Sequence, residues 1–190
     1  MKYAGFRGQF IFGFVACAVI LGIGLYMEFV MGLDPCMLCM GQRFVYLGMA
    51  FVFMLAALHN PYFGGHRRYG FLLFLLSLLG LVAAGRQLYL QSLPADLVPA
   101  CGPSFSYMVD AFPLVEVIIT MFKGSGSCAE IQWTFLSLSI AGWSFVLFSF
   151  LALYCLRLSL VALNQNHFGL KTPSDPLKHS SCHHAGDHII

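Results

Sequence analysis

Gly8-Gln9-Phe10-Ile11-Phe12-Gly13-Phe14-Val15-Ala16-Cys17-Ala18-Val19-Ile20-Leu21-Gly22-Ile23-Gly24-Leu25-Tyr26-Met27 is an uncharged run of twenty residues held between Arg7 and Glu28. A helix rises about 1.5 Å per residue, so this run matches the ~30 Å of hydrocarbon in a bilayer. Three more apolar blocks follow. Phe44 to Leu58 starts after Arg43 and stops at His59-Asn60-Pro61. Tyr69 to Gly85 lies between Arg67-Arg68 and Arg86, and a last block lies within Phe135 to Leu156. The expected spans fall near residues 8–27, 42–58, 69–87 and 141–163. The fold class read from this pattern is an all-α membrane protein, a four-transmembrane-helix bundle. Two external loops, 28–41 and 88–140, join the spans, and a tail over 164–190 reads as disordered.

Composition agrees with that reading. Of 190 residues, 59% are hydrophobic and 9% charged, with a mean hydropathy of +0.80. A soluble domain carries about 25% charged residues and has no means of hiding so much apolar surface. A net charge of +2 gives no footprint for nucleic acid. Lys and Arg fall unequally on the two sides of the bundle. One side holds seven, namely Lys2, Arg7, Arg67, Arg68, Arg157, Lys171 and Lys178. The other holds three, Arg43, Arg86 and Lys123. The richer side is expected to be cytoplasmic, which puts both termini inside. The first block shows no clear small-x-small cleavage site before Glu28, so it is expected to stay as a span.

The seven cysteines divide along the same boundary. Cys17 and Cys155 fall within spans, where they read as small apolar packers, and Cys182 falls in the tail. Cys36, Cys39, Cys101 and Cys128 all fall outside, on the side where thiols oxidise. Four cysteines allow three pairings, and proximity favours Cys36 with Cys39 and Cys101 with Cys128. Cys36-Met37-Leu38-Cys39 is a C-x-x-C at the mouth of the second span. With Asp34 as cap and Pro35 in the first turn, free helix amides would lie beside Cys36 and favour a thiolate. The pattern alone admits redox exchange, two structural staples, or a four-thiolate zinc site. A Cys101–Cys128 staple closing 28 residues would stabilise by roughly 3.6 kcal/mol. Favouring exchange, Lys123-Gly124-Ser125-Gly126-Ser127-Cys128-Ala129 reads as flexible and exposed.

Two further features bear on an electron acceptor. The C-x-x-C stands at the membrane boundary, and no G-x-G-x-x-G follows a strand, so a lipid-soluble quinone is the natural acceptor. Arg43, four residues after Cys39, shares its helical face. It would either hold a thiolate and a quinone oxygen or snorkel to headgroups. Arg86 poses the same choice, and Gln42 and Gln87 are candidate hydrogen-bond donors nearby. Pro113 to Phe122 carries a narrow polar stripe of Glu116, Thr120 and Lys123 on an otherwise apolar segment. It is too short to span, so it is expected either to lie flat on the membrane or to pack as a small external core.

Taken together, three motifs resemble the disulfide bond formation protein B family (DsbB). They are Pro35-Cys36-Met37-Leu38-Cys39-Met40-Gly41-Gln42-Arg43, Gly85-Arg86-Gln87-Leu88, and Gly126-Ser127-Cys128-Ala129-Glu130-Ile131-Gln132-Trp133. The resemblance covers roughly residues 10 to 163. It implies an inner-membrane thiol:quinone oxidoreductase with catalytic Cys36, Cys39, Cys101 and Cys128. It implies that Cys101 forms a mixed disulfide with the reduced C-x-x-C of a periplasmic DsbA-like thioredoxin-fold oxidase, resolved by Cys128. It implies that Cys39 meets ubiquinone or menaquinone in a charge-transfer complex or adduct, with Arg43 holding the ring. The family pattern often has an acidic residue before that arginine. Gln42 stands there instead, which removes a possible partner of Arg43. A histidine found after the third span in some members has no counterpart either. The Cys/His-rich tail, His179 to His188, reads as disordered cytoplasmic sequence or a transition-metal site. The opposing interpretations of the whole chain are a non-catalytic scaffold held by two staples and a related quinone-linked disulfide oxidoreductase with a dedicated partner.

Overall fold

A computed structural model describes residues 3–59, 63–94, 97–98, 105–124 and 126–169. The expected roles of Cys101, Cys182 and the histidine-rich tail lie outside the described residues. Four long helices dominate: α1 (Tyr3–Phe29), α2 (Met37–His59), α3 (Phe63–Gln91) and, after two short helices, α6 (Ile140–Gly169). The membrane-length apolar stretches within them are Arg7–Phe29, Met37–His59, Gly65–Gln91 and Ile140–Leu160. The molecule is an all-α, four-span membrane bundle with a short interfacial helix.

Each long helix is apolar around its whole circumference, so it has no face that suits water. Val19, Phe51, Phe71, Val82 and Leu153 all point outward and are exposed. In hydrocarbon such residues lose nothing, and the inner faces are distinguished by fit rather than by hydrophobicity. Along the chain α2 packs between α1 and α3, and α3 lies against α6. Tyr154 on α6 donates to the carbonyl of Gln9 on α1 at 2.9 Å, closing the ring of helices. Phe10, Cys17, Met49, Phe53, Leu73, Phe148 and Cys155 fill the centre. Cys17 and Cys155 are fully buried there, among apolar neighbours.

The C-terminal end of α1, the start of α2, the end of α3 and the start of α6 meet at one end of the bundle. A second core forms on that end. It joins Met37, Leu38 and Leu90 to Met108 of α4 (Phe105–Ala111), Val117 and Met121 of α5 (Leu114–Lys123), and Cys128. Helix α5 therefore combines both arrangements open to the Pro113–Phe122 segment. Val117 and Met121 pack inward, while Leu114, Val115, Ile118 and Ile119 remain exposed. Gly124 ends α5 at φ +74° and donates its N–H to the Thr120 carbonyl at 3.0 Å. A Cβ there would stand 2.8 Å from Leu90 and 2.9 Å from Leu38. Only glycine combines that backbone conformation with so close an approach.

A 3-10 turn, Gly126–Cys128, follows α5. A two-stranded antiparallel hairpin then pairs β1 (Thr134–Phe135) with β2 (Leu138–Ser139). Its turn places Leu136 and Ser137 at φ 52° and 64°. Two-residue hairpin turns of that hand favour Asn-Gly, so Leu-Ser gave no sequence signal for a hairpin.

The small residues on the inner faces set the helix spacing. A Cβ on Gly80 would lie 2.2 Å from the ring of Phe148. That ring is fully buried and stacked on Tyr46 at 4.1 Å between centroids, so it has nowhere to retreat. Gly22 has nothing within 4 Å of its would-be Cβ. Gly80→Ala is expected to destabilise the bundle by about 1–3 kcal/mol, and Gly22→Ala to leave it unchanged or slightly firmer. Thermal unfolding of the two variants in the same detergent checks this, and equal effects would contradict the packing described.

Candidate redox site

The start of α2 builds the site. The helix opens at Met37, with Asp34 and Pro35 left in the preceding loop. The expected Asp34 cap and Pro35 first turn are therefore displaced by two residues' worth of chain, and Cys36 itself occupies the cap. Its carbonyl accepts from Met40 N–H at 3.0 Å, and its sulfur accepts from Cys39 N–H at 3.4 Å. A sulfur here does what a serine or aspartate oxygen usually does for the third amide of a helix. One turn of helix then returns Cys39 beside the cap. The two sulfurs stand 3.0 Å apart, a short displacement from the ~2.05 Å of a disulfide.

Cys128 reaches the same point from the other side of the second core. Its side chain is in hydrogen-bond contact with Cys36. Cys36 thus stands between two sulfurs, Cys39 and Cys128. The expectation that the glycine-serine stretch leaves Cys128 exposed is corrected by the structure, since Cys128 is 0% exposed. The small residues do the opposite of loosening the segment. They let the 3-10 turn settle against Leu38 and Leu90, which carries the sulfur inward.

The expected thiolate at Cys36 is corrected as well. Its thiol is pushed above the ordinary cysteine range, first by the hydrogen bond with Cys128, then by that with Cys39, then by burial. Each of these favours the neutral form, and they outweigh the helix terminus. Donors converge instead on the Cys39 sulfur. The Cys36 thiol points at it, and Gln87 Nε2 on α3 donates to it at 3.2 Å.

Arg43 does not reach a sulfur of the C-x-x-C through any bond among the described residues. Its guanidinium forms an ion pair with Glu28, at the end of α1, and donates to the Gly24 carbonyl at 2.9 Å. The partner that Gln42 was expected to remove is therefore supplied by Glu28. Sequence reasoning missed this, because only the packing of α1 on α2 brings those two residues together. Gln42 turns the other way, donating to Gln87 Oε1 at 2.8 Å. Arg86 is exposed on α3, with its guanidinium 5.5 Å from the Tyr89 ring centroid.

Beside these groups lies a cavity of about 380 Å³. Ile20, Leu21, Met27 and Leu147 give it apolar walls, and Trp133 and Trp143 close it near the hairpin. Its polar lining includes Cys39, Gln42, Arg43 and Gln87, with Asp34 and Glu130 also on its wall. An apolar chamber with a few convergent polar groups suits an uncharged aromatic ligand carrying carbonyl oxygens.

A membrane bundle that sets one sulfur between two others, at the mouth of such a chamber, defines an integral-membrane thiol–disulfide exchange protein. The family model described as "Disulfide bond formation protein DsbB" matches residues 6–158. Among curated proteins, the chain is 54% identical over 145 residues to the disulfide bond formation protein B of Marinobacter nauticus, covering 75% of this chain and 86% of that one. It is 49% identical over 150 residues to that of Nitrosococcus oceani, covering 79% and 89%. It is 52% identical over 135 residues to that of Hahella chejuensis, covering 71% and 82%. The chain belongs to the DsbB family. It is a thiol:quinone oxidoreductase that runs a disulfide relay through its cysteine pairs.

The Cys36 environment has a direct consequence for reactivity. Hydrogen bonding and burial hold its thiol neutral, so ionising it requires a pH above the ordinary value of 9.0. In the fully reduced protein, the pH at which Cys36 alkylates at half its maximal rate is expected to lie above that value. Peptide mass spectrometry after timed iodoacetamide quenching measures it. A midpoint at or below 9 would contradict the arrangement.

Proposed function

We propose that electrons enter at Cys101 from the reduced C-x-x-C of a periplasmic DsbA-like thioredoxin-fold oxidase. The partner's thiolate bonds to Cys101 and breaks the Cys101–Cys128 disulfide, leaving Cys128 as a thiolate. The partner's second thiol, rather than Cys128, then resolves the mixed disulfide, because attack by Cys128 on Cys101 would only release the partner still reduced; the partner departs oxidised, and Cys101 leaves as a thiolate. The Cys128 thiolate attacks Cys36, the Cys36–Cys39 bond opens, and its electron pair goes to Cys39. Cys101 then attacks Cys128, and restores the outer disulfide as Cys36 leaves. Two electrons now rest on Cys36 and Cys39 as two thiol equivalents.

One observation carries this order: Cys36 lies 3.0 Å from Cys39 and in contact with Cys128, so it is the sulfur shared by both exchanges. A thiolate must approach a disulfide in line with the bond it breaks, and only the middle sulfur of such a trio is open to both neighbours.

The acceptor proposed is ubiquinone or menaquinone, held in the chamber beside Cys39. When bound, it supplies a two-electron, two-proton sink. The chamber suits it in having aliphatic walls for a ring and tail, with amide and guanidinium groups at one end. Cys39 lines that end, so its sulfur is the electron donor. Arg43, kept in place by Glu28 and Gly24, is the residue that would hold a carbonyl oxygen of the ring. Ile20, Leu21 and Leu147 keep water from the reacting sulfur. The chain is proposed to reside in the bacterial inner membrane with both termini cytoplasmic, a reading that the distribution of Lys and Arg supports.

Purified protein, mixed with quinone and a reduced C-x-x-C oxidase, is expected to consume quinone absorbance in step with partner oxidation. Cys101→Ala is expected to abolish the flow. Arg43→Met is expected to raise the KM for quinone by about tenfold or more, as loss of a charged hydrogen-bond donor does. Unchanged quinone in folded wild-type protein would overturn the relay and favour a stapled scaffold.

A further inference from the structure

Gln87 and Gln42 are each only 4% exposed, and neither was assigned a step above. A buried primary amide must place both its donors and its acceptor. Gln87 does so across three elements. Its Nε2 faces Cys39 Sγ at 3.2 Å and Cys36 Sγ at 3.5 Å. Its Oε1 accepts from Gln42 Nε2 at 2.8 Å. A thiolate or disulfide sulfur only accepts, so Gln87 must present its NH₂ to the pair. Its carbonyl oxygen then faces away, and it needs a donor there. Gln42 supplies that donor, and a carboxylate in the same place would not.

We propose that Gln87 is a catalytic residue that holds the negative charge expelled onto Cys39, and that Gln42 is the positioning residue that keeps the Gln87 amide turned toward the sulfurs. The inference rests on the relay described above. As the Cys128 thiolate bonds to Cys36, the Cys36–Cys39 bond breaks and its electron pair leaves on Cys39 Sγ. No proton moves, and the number of thiolates is unchanged. The Gln87 N–H already points to where the charge arrives, so little reorganisation accompanies the step.

The charged and titratable groups around this sulfur leave that part to a neutral amide. From α1 comes Glu28, whose carboxylate is paired with Arg43 of α2. The loop ahead of α2 brings Asp34 and Cys36, and the segment after α5 brings Cys128 and Glu130. From α3 the cavity receives only Gln87 and Gln91, and from α6 only uncharged side chains such as Ser144 and Trp143. Among the described residues the lining holds one cation, Arg43, and it is engaged by Glu28 and the Gly24 carbonyl.

The test reads Cys39 directly and needs neither quinone nor partner. Full-length reduced protein carrying Cys36→Ser is alkylated with iodoacetamide, and modified Cys39 is counted by peptide mass spectrometry at pH 7 and pH 10. Gln87→Leu is expected to slow Cys39 alkylation at pH 7 by about tenfold or more, with the rate recovered at pH 10. Gln42→Glu, nearly the same size, is expected to do likewise by reversing the Gln87 amide, while Gln42→Leu slows it less. Should Gln87→Leu fail to fold by circular dichroism, Gln42→Glu carries the test. Rates within twofold of the parent at pH 7, or a deficit that persists unchanged at pH 10, would overturn the proposal. Quinone reduction by wild-type protein is measured alongside. A working relay with unmoved alkylation rates sinks the glutamine pair alone. Displaced rates without quinone reduction leave the Gln42–Gln87 contact to the Cys39 sulfur standing and remove the relay it was to serve.

Discussion

A helix that begins at a membrane boundary leaves its first amides without partners, and in this protein the sulfur of Cys36 takes one of them. That hydrogen bond, from Cys39 N–H to Cys36 Sγ, fixes the first turn of α2 and sets the two sulfurs side by side. Much else follows from this position. Cys36 is held at the edge of the second core, where Cys128 meets it. Cys39 is turned toward the chamber, where Gln87 meets it. A conventional oxygen cap would stabilise the helix as well, but it would leave the C-x-x-C with one sulfur fewer to exchange.

The second core covers the sulfurs, and its composition suits small shifts in packing. Leu38, Leu90, Val117, Met121 and Cys128 pack together over the bundle end, and three of the structural pieces involved are very short. Methionines at 37, 108 and 121 fill this core, and an unbranched thioether side chain adapts to small shifts. The long helices below it are joined instead by close, ring-filled contacts such as Phe148 against Gly80. The ring-filled contacts position Cys39, Gln87 and Arg43, while the methionine-filled core carries Cys128, the sulfur proposed to change partners.

The four spans were legible because uncharged runs of near-membrane length are a one-dimensional signal. The same holds for the C-x-x-C at the mouth of the second span. What escaped was three-dimensional. The ion pair of Arg43 with Glu28 and the bond of Gln42 to Gln87 each join different helices, and no spacing along the chain announces them. The glycine-serine stretch before Cys128 misled for a specific reason. Small residues signal either freedom or close approach, and only the neighbours Leu38 and Leu90 decide between them. The start of α2 was misplaced because aspartate and proline are better-known helix starters than a cysteine sulfur. The hairpin after Trp133 went unseen because its turn lacks glycine and asparagine.

The central claim is that Cys36 is the junction through which the outer and inner pairs communicate. Mapping the disulfides of oxidised Cys39→Ala protein tests it most directly. With its inner partner gone, the Cys36 thiolate is expected to attack Cys128, break the outer disulfide and release Cys101 as a free thiol. Peptide mass spectrometry would then find Cys36 joined to Cys128 as the principal linkage. Cys36 left unlinked beside an intact Cys101–Cys128 bridge, or joined to Cys101, would contradict the account.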